Sequence, residues 1–208
     1  MRWRWPIVTL ALASAAMVVQ LVPGAAAAVQ YERAAAASGE VWRYFTGHLA
    51  HWSFEHFAWD VAVLVVLGVA CEERVGRART LAASGGAMVA IPFAIRIARP
   101  GLETYRGLSG IDSALFGLLL AMLVHDLLRN RKRRAAMFVL GCGCAFVAKL
   151  VFESATRQSM FVNSTSSGFV PVALAHAIGL ITGCTVGALS PRDSALAPST
   201  PAATIAAT

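Results

Sequence analysis

The sequence contains few charged residues. Asp, Glu, Lys and Arg make up 14% of its 208 residues, about half the fraction of a typical soluble domain. Hydrophobic residues make up 57%, and a chain this short has too much surface for its volume to hide them all from water. The composition therefore excludes an ordinary soluble domain and predicts an all-α polytopic membrane protein.

Cysteine is also scarce, and its spacing matches neither a disulfide framework nor a zinc site. The four cysteines lie in or beside apolar stretches, and we interpret them as small packing residues: Cys71, Cys142, Cys144 and Cys184. The chain also lacks a repeat of fixed period and a soluble second domain. The prediction is a protein with no cofactor and no metal.

Six stretches approach the length of about 20 apolar residues that crosses a bilayer. They comprise residues 6–28, 51–70, 80–97, 110–128, 135–152 and 170–189. The net charge of +7 is spread between these stretches, so it predicts orientation signals and no nucleic-acid partner. The basic cluster at 129–134 predicts that both termini lie in the cytoplasm. Residues 191–208, rich in Ala, Pro, Ser and Thr, are predicted to form a disordered cytoplasmic tail.

The first stretch has two interpretations. A basic start, an apolar run and the small residues at 24–28 are typical of a cleaved signal peptide. Residues 1–29 can equally form a retained first transmembrane helix that acts as a signal-anchor. The second stretch runs from the outside inward in either case, so the remaining topology is the same.

Histidines cluster before and within the second stretch. His56 and Asp60 are four residues apart and therefore share one face of a helix, with His51 and His48 preceding them. Imidazole and carboxylate groups suit zinc or iron. The same residues can instead donate hydrogen bonds beside a reacting centre, or simply cap the start of a helix.

A serine between glycines precedes the fourth stretch. Gly107 and Gly110 bracket Ser109 where a loop becomes a helix. A helix start offers unpaired amide donors and a positive dipole end, which suit a developing oxyanion. An ordinary serine cap is the alternative, because Gly-x-Ser-Gly alone is a weak pattern.

One histidine lies inside the last stretch. His176 is followed by Gly179, Gly183 and Gly187, which form a smooth face on which another helix can approach closely. If that helix carries Ser109, the serine and the histidine come within hydrogen-bonding reach. The predicted topology also puts His56, Ser109 and His176 in the outer half of the membrane, which predicts one outward-opening polar cavity.

Taken in order, these patterns resemble the rhomboid family of intramembrane serine proteases. The resemblance covers roughly residues 40–190 and rests on five motifs: Val41-Trp-Arg-Tyr-Phe-Thr46, His51-x4-His56-x3-Asp60, Gly68-x3-Glu72-x3-Gly76 with Arg74, Gly107-Leu-Ser109-Gly110, and Ala175-His176-x2-Gly179. It implies a six-helix bundle whose catalytic core spans residues 30–190. It also favours the signal-anchor interpretation of residues 1–29.

The resemblance implies a catalytic dyad without a third acid. Ser109 would attack the scissile carbonyl and His176 would accept its proton. The amides of Ser109 and Leu108, with His56, would bind the oxyanion. Gly107, Gly110 and Asp60 would support this site, and three further residues would lie around it: His51, Gly179 and Asp112.

The chain departs from the family pattern at two site positions and in one loop. Asp60 stands where the family has Asn, so its carboxyl must be protonated or turned toward His56; we favour the second. Ser113 replaces a tyrosine that packs on the catalytic histidine in many relatives, so Asp112 or an aromatic ring would hold His176. The first outer loop is short. These departures resemble the rhombosortase-like branch, whose implied substrates are C-terminal sorting segments of exported proteins.

The leading hypothesis is therefore an intramembrane serine endopeptidase of the inner (plasma) membrane, a multi-pass protein whose site opens to the extracytoplasmic side. Its expected partners are the lipid bilayer and a membrane-protein substrate helix. A catalytically inactive rhomboid-like protein that binds membrane helices is the second hypothesis. A metal-binding protein or transporter built on the histidine cluster is the third.

Overall fold

The computed structural model describes residues 5–158, 160 and 172–189. Within these residues the chain is mostly helical and forms nine α-helices: α1 (Ile7–Leu21), α2 (Ala25–Val29), α3 (Arg33–Ala37), α4 (Arg43–Thr46), α5 (Phe54–Arg74), α6 (Arg77–Ala98), α7 (Ser109–Arg129), α8 (Arg133–Thr156) and α9 (Ala173–Leu189). The predicted tail at 191–208 lies outside the described residues, as do the first two residues of the stretch predicted at 170–189.

Four of these helices are long and apolar enough to cross a membrane: α5, α6, α7 and α8. Two apolar helices are shorter, α1 and α9. The positions agree with the predicted stretches to within a few residues at most ends, which supports a helical membrane bundle. The crossing of the membrane by all six, and the side on which the termini lie, stay predictions.

The first stretch, predicted at 6–28, is wrong in its length. Helix α1 ends at Leu21, and Val22 adopts an extended conformation. Pro23 cannot donate a backbone hydrogen bond, and Gly24 has φ of +80°, so the chain turns before the short helix α2 begins. The 15 residues of α1 span only about 22 Å.

The connection before α5 contains a short strand as well as the short helices α3 and α4. Two short strands, β1 (Tyr31–Glu32) and β2 (Thr104–Tyr105), pair in antiparallel register, with Tyr31 opposite Tyr105. This ribbon joins the chain before α5 to the loop before α7. It therefore helps to position that loop, which leads into Ser109 at the start of α7.

Helix α5 begins later than predicted. The hydroxyl of Ser53 accepts a hydrogen bond from the His56 amide at 3.1 Å, an ordinary N-terminal cap. His51 consequently lies before the helix, not on it. His56 and Asp60 occupy the first two turns of α5 and are both buried.

Helix α7 lies at the centre and packs against α5, α6, α8 and α9. Its closest neighbour is α9. A Cβ atom on Gly179 would overlap the carbonyl oxygen of Gly110, and one on Gly183 would overlap that of Ala114. We call this contact, formed by Gly110, Ala114, Gly179 and Gly183, the α7–α9 seam. Small residues of this kind let membrane helices approach backbone to backbone.

Helix α8 lies at the periphery. Four of its 24 residues are buried: Ala136, Gly143, Leu150 and Glu153. Most of its remaining apolar surface faces outward, as expected of a helix in contact with lipid.

Candidate active site

Ser109 is the first residue of α7 and follows a sharp turn. Gly107 has φ of +123°, a backbone conformation that residues other than glycine rarely adopt. A Cβ atom there would lie 3.0 Å from Nε2 of His56 and 3.2 Å from Oδ2 of Asp60. The hydroxyl of Tyr105 donates to the Gly107 carbonyl at 3.2 Å, and burial raises the pKa of Tyr105 above its usual value, which keeps it a neutral donor.

The α7–α9 seam brings Ser109 and His176 together. Nε2 of His176 lies 2.9 Å from Oγ of Ser109, although the two residues are 67 positions apart. His176 is one turn before Gly179, whose lack of a side chain allows α9 to approach Gly110. The contact thus follows from the backbone approach of two helices, as the glycine spacing predicts.

The other ring nitrogen of His176 meets a carboxylate on a third helix. Nδ1 lies 3.2 Å from Oε2 of Glu153, a residue of α8 whose side chain is fully buried. In this structure the residue that meets Nδ1 of His176 is Glu153 and not the expected Asp112. Asp112 is buried, and its Oδ1 has no hydrogen-bond partner among the described residues.

Glu153 was not among the predicted site residues, although the sequence contained a signal for it. Lys149 and Glu153 are four residues apart inside an apolar span, where ionisable side chains are costly and usually functional. Nζ of Lys149 lies 2.9 Å from Oε2 of Glu153. The pair indicated that one face of this span is polar, but only the fold reveals that the face meets His176.

Asp60 lies directly beside the turn that carries Ser109. Its Oδ2 accepts hydrogen bonds from the amides of Leu108 at 2.9 Å and Ser109 at 3.2 Å. The Nε2 atoms of His51 and His56 lie 3.3 Å and 3.2 Å from the same oxygen. Four nitrogen atoms thus surround one carboxylate oxygen. The two amides expected to bind an oxyanion are engaged by Asp60 in this structure.

His48 lies apart from this arrangement. Its ring is fully buried and packs edge-on against Tyr105, with centroids 5.4 Å apart. Burial lowers the pKa of His48 from 6.5 to about 4. Within the described residues no three His, Cys, Asp or Glu side chains are arranged to hold a metal ion. One ring nitrogen of each of His51 and His56, Nε2, lies near Oδ2 of Asp60 instead.

Ser113, which was predicted to stand where many relatives have a tyrosine, lies one turn after Ser109. Its hydroxyl donates to the Ser109 carbonyl at 2.7 Å. This bond occupies the backbone of the first turn of α7 and leaves the Ser109 side chain directed at His176. Ser113 therefore supports the helix start and does not pack on the histidine as a tyrosine ring would.

A comparison with protein-family models yields a match. The family model described as the Rhomboid domain matches residues 38–192, well over half of the chain and the region that contains Asp60, Ser109, Glu153 and His176. A comparison with curated proteins returns no match. The chain belongs to the rhomboid family.

Proposed function

We propose that this member of the rhomboid family is an intramembrane serine endopeptidase, with Ser109 as nucleophile and His176 as general base. The observation that carries the proposal is the 2.9 Å separation between Oγ of Ser109 and Nε2 of His176. A serine hydroxyl becomes a useful nucleophile when a base within about 2.6–3.2 Å can take its proton.

The proposed reaction has two halves. Oγ of Ser109 attacks the scissile carbonyl carbon while Nε2 of His176 accepts the hydroxyl proton. The tetrahedral intermediate then collapses, the C–N bond breaks, and Nε2 gives the proton to the leaving amine. Water next attacks the acyl carbon while His176 takes a water proton. The second tetrahedral intermediate then collapses, the C–Oγ bond breaks, and Nε2 returns the proton to Oγ of Ser109.

The surroundings of Asp60 support an oxyanion site. Amides of Leu108 and Ser109 and Nε2 of His56 converge on its Oδ2, so a negative oxygen is what this pocket accommodates. The carboxylate stands in for the oxyanion in the free protein. The substrate oxygen must replace it, because two negative oxygens cannot share the same donors.

The proposed substrates are transmembrane helices or C-terminal sorting segments of membrane or exported proteins, as in the rhombosortase-like branch. The proposed setting is the inner (plasma) membrane, with six membrane-crossing helices, cytoplasmic termini and a site that opens to the extracytoplasmic side. Ser109 begins α7 and Glu153 lies near the end of α8. Both therefore lie at the same end of the bundle, which is the outer end in this topology.

The test is cleavage of a reporter with a membrane helix by purified protein in liposomes. Ser109→Ala and His176→Ala should each abolish cleavage, while Ser154→Ala should not, because the hydroxyl of the exposed residue Ser154 donates to the Leu150 carbonyl of its own helix. Ser109 of the wild type should also be labelled by a fluorophosphonate. Persistent cleavage by folded Ser109→Ala would refute the proposal. Binding of the reporter without cleavage or labelling would indicate the inactive, helix-binding alternative.

Asp60→Asn tests the oxyanion site separately. The amide oxygen of asparagine still accepts from the Leu108 amide but carries no charge to compete with the oxyanion. We expect kcat to rise about tenfold, somewhat less than the effect of one oxyanion donor. A kcat that falls while the protein stays folded would mean that the charge of Asp60 assists the reaction.

A further inference from the structure

Glu153 joins a third helix to the proposed site. Its side chain is fully buried on α8, and Oε2 lies 3.2 Å from Nδ1 of His176. Ser109 is on α7 and His176 is on α9. Three side chains from three helices therefore form a continuous line of contacts from hydroxyl to imidazole to carboxylate.

The carboxylate of Glu153 is held by other donors as well. Oε2 lies 2.9 Å from Nζ of Lys149, one turn earlier on the same helix. Oε1 accepts a hydrogen bond from the Met160 amide at 3.3 Å. Both oxygens thus have partners, so the position of the carboxylate is determined by more than His176.

This arrangement determines which nitrogen of His176 carries the proton. A carboxylate only accepts hydrogen bonds, so Nδ1 must be the donor toward Glu153. In the neutral ring the other nitrogen, Nε2, then has a lone pair, and it faces Oγ of Ser109. This is the tautomer that a general base needs. The opposite tautomer would present a proton to the serine and could not accept one.

We propose that Glu153 is a positioning residue for His176, so that this chain works with an acid–histidine–serine arrangement held across three helices. The inference rests on the proposed function. When Nε2 takes the Ser109 proton, the ring becomes an imidazolium with protons on both nitrogens. The Glu153 carboxylate stabilises that charge and keeps no proton itself, and Nε2 later gives its proton to the leaving amine.

A purely structural role for Glu153 is the competing interpretation, because the residue also neutralises Lys149. The two roles predict different kinetics. Loss of a structural ion pair lowers stability and the amount of folded protein. Loss of a positioning residue lowers kcat of the folded protein and leaves KM nearly unchanged, since the substrate is bound elsewhere.

The experiment measures kcat and KM for Glu153→Gln, Glu153→Asp and the wild type in liposomes. Glu153→Gln should lower kcat by about 10²–10⁴-fold and change KM by less than about twofold. Labelling of Ser109 by a fluorophosphonate should slow in parallel. Glu153→Asp keeps the charge, so its kcat should be at least about tenfold higher than that of Glu153→Gln. Glu73→Gln at the exposed far end of α5 is the matched control and should leave kcat unchanged.

A second measurement does not depend on any Glu153 variant folding. Nitrogen-15 NMR of His176 in the wild type should report a proton on Nδ1 and none on Nε2 at neutral pH. A ring protonated only on Nε2 would overturn the proposal, as would a folded Glu153→Gln protein with kcat within about threefold of wild type. Equal kcat in Glu153→Gln and Glu153→Asp would also overturn it. Cleavage that survives Ser109→Ala would instead refute the proposed function.

Discussion

The α7–α9 seam and the attachment of α8 hold the same histidine in different ways. In the seam the backbones touch because Gly179 and Gly183 have no side chain, and a Cβ atom at either position would overlap a backbone carbonyl of α7. Helix α8 is mostly exposed and reaches His176 through the long side chain of Glu153. Backbone contact sets the distance between Ser109 and His176 rigidly, whereas the contact of His176 with α8 depends on one buried side chain, Glu153. The two regions should therefore respond differently to the same kind of change.

The largest effect is expected from a larger residue in the seam. Gly183→Val places Cβ against the Ala114 carbonyl, a backbone group that cannot move aside. We expect a loss of about 3 kcal/mol of stability and complete loss of cleavage. Thermal unfolding in detergent and the reporter assay measure both.

Gly141→Val on α8 is the matched control for this substitution. A Cβ atom on Gly141 would meet nothing within 4 Å, so stability should change by less than about 1 kcal/mol. If both variants lost stability equally, the difference between the two regions would be refuted.

The next effect concerns the ion pair on α8. Lys149→Met leaves the buried Glu153 without its ammonium partner, and breaking a buried pair from one side costs about 3 kcal/mol. Replacing both partners, as in Lys149→Met with Glu153→Gln, should cost less, because no uncompensated charge remains. A double variant less stable than Lys149→Met would show that an uncompensated Glu153 charge is not the cause of the loss.

A pH-dependent effect is expected from His48, which packs against Tyr105 in the loop before the seam. The pKa of His48 is about 4 when folded and 6.5 when unfolded, so the unfolded state binds the proton more tightly. Stability is therefore greatest above pH 6.5 and falls as the pH drops toward 4. The His48 contribution lost between pH 6.5 and 5 is about 1.6 kcal/mol.

The measurement is the unfolding temperature of wild type and His48→Leu at each pH. The fall in stability between pH 6.5 and 5 should be smaller in the variant. His125→Leu, at an exposed position of α7, should keep the wild-type profile. A His48→Leu profile that parallels the wild type would contradict the prediction.

The smallest effect is expected at the far end of α7. Arg74 and Asp126 lie 3.2 Å apart, with 46% and 41% of their side chains exposed. Exposed ion pairs contribute less than about 1 kcal/mol. Asp126→Asn should accordingly change the unfolding temperature only slightly and leave cleavage intact. A large fall in the unfolding temperature would mean that the contact between α5 and α7 depends on this ion pair as well as on the packing of the bundle.

Composition and local patterns were enough for much of the helical layout. Long apolar runs predicted α5 to α8 to within a few residues, because the hydrophobic requirement of the bilayer is strong. The break at Pro23 and Gly24 was missed even though such a pair favours a turn, since the surrounding apolar residues suggested one continuous span. The ribbon between Tyr31 and Tyr105 was also missed, because two-residue strands leave no periodic pattern.

The candidate site divides in the same way. Ser109 and His176 were predicted because each lies in a recognisable motif, and the structure places them 2.9 Å apart. The glycines after His176 predicted the close approach of α9. Glu153 was missed because its motif, a lysine four residues earlier, does not reveal which helix it faces. The structure places Glu153 against the ring nitrogen where Asp112 was expected, because nearness to Ser109 in sequence does not decide which way a side chain points.

The sequence by itself determined that this protein belongs in a membrane, where its helices run, and which serine begins a helix after a glycine turn. These properties depend on residues near one another in the chain, through hydropathy and backbone sterics. Only the tertiary structure decided that Asp60 meets the Leu108 amide and that Glu153 meets His176. Such contacts depend on the rotation and approach of separate helices, which is set by the packing of the whole bundle.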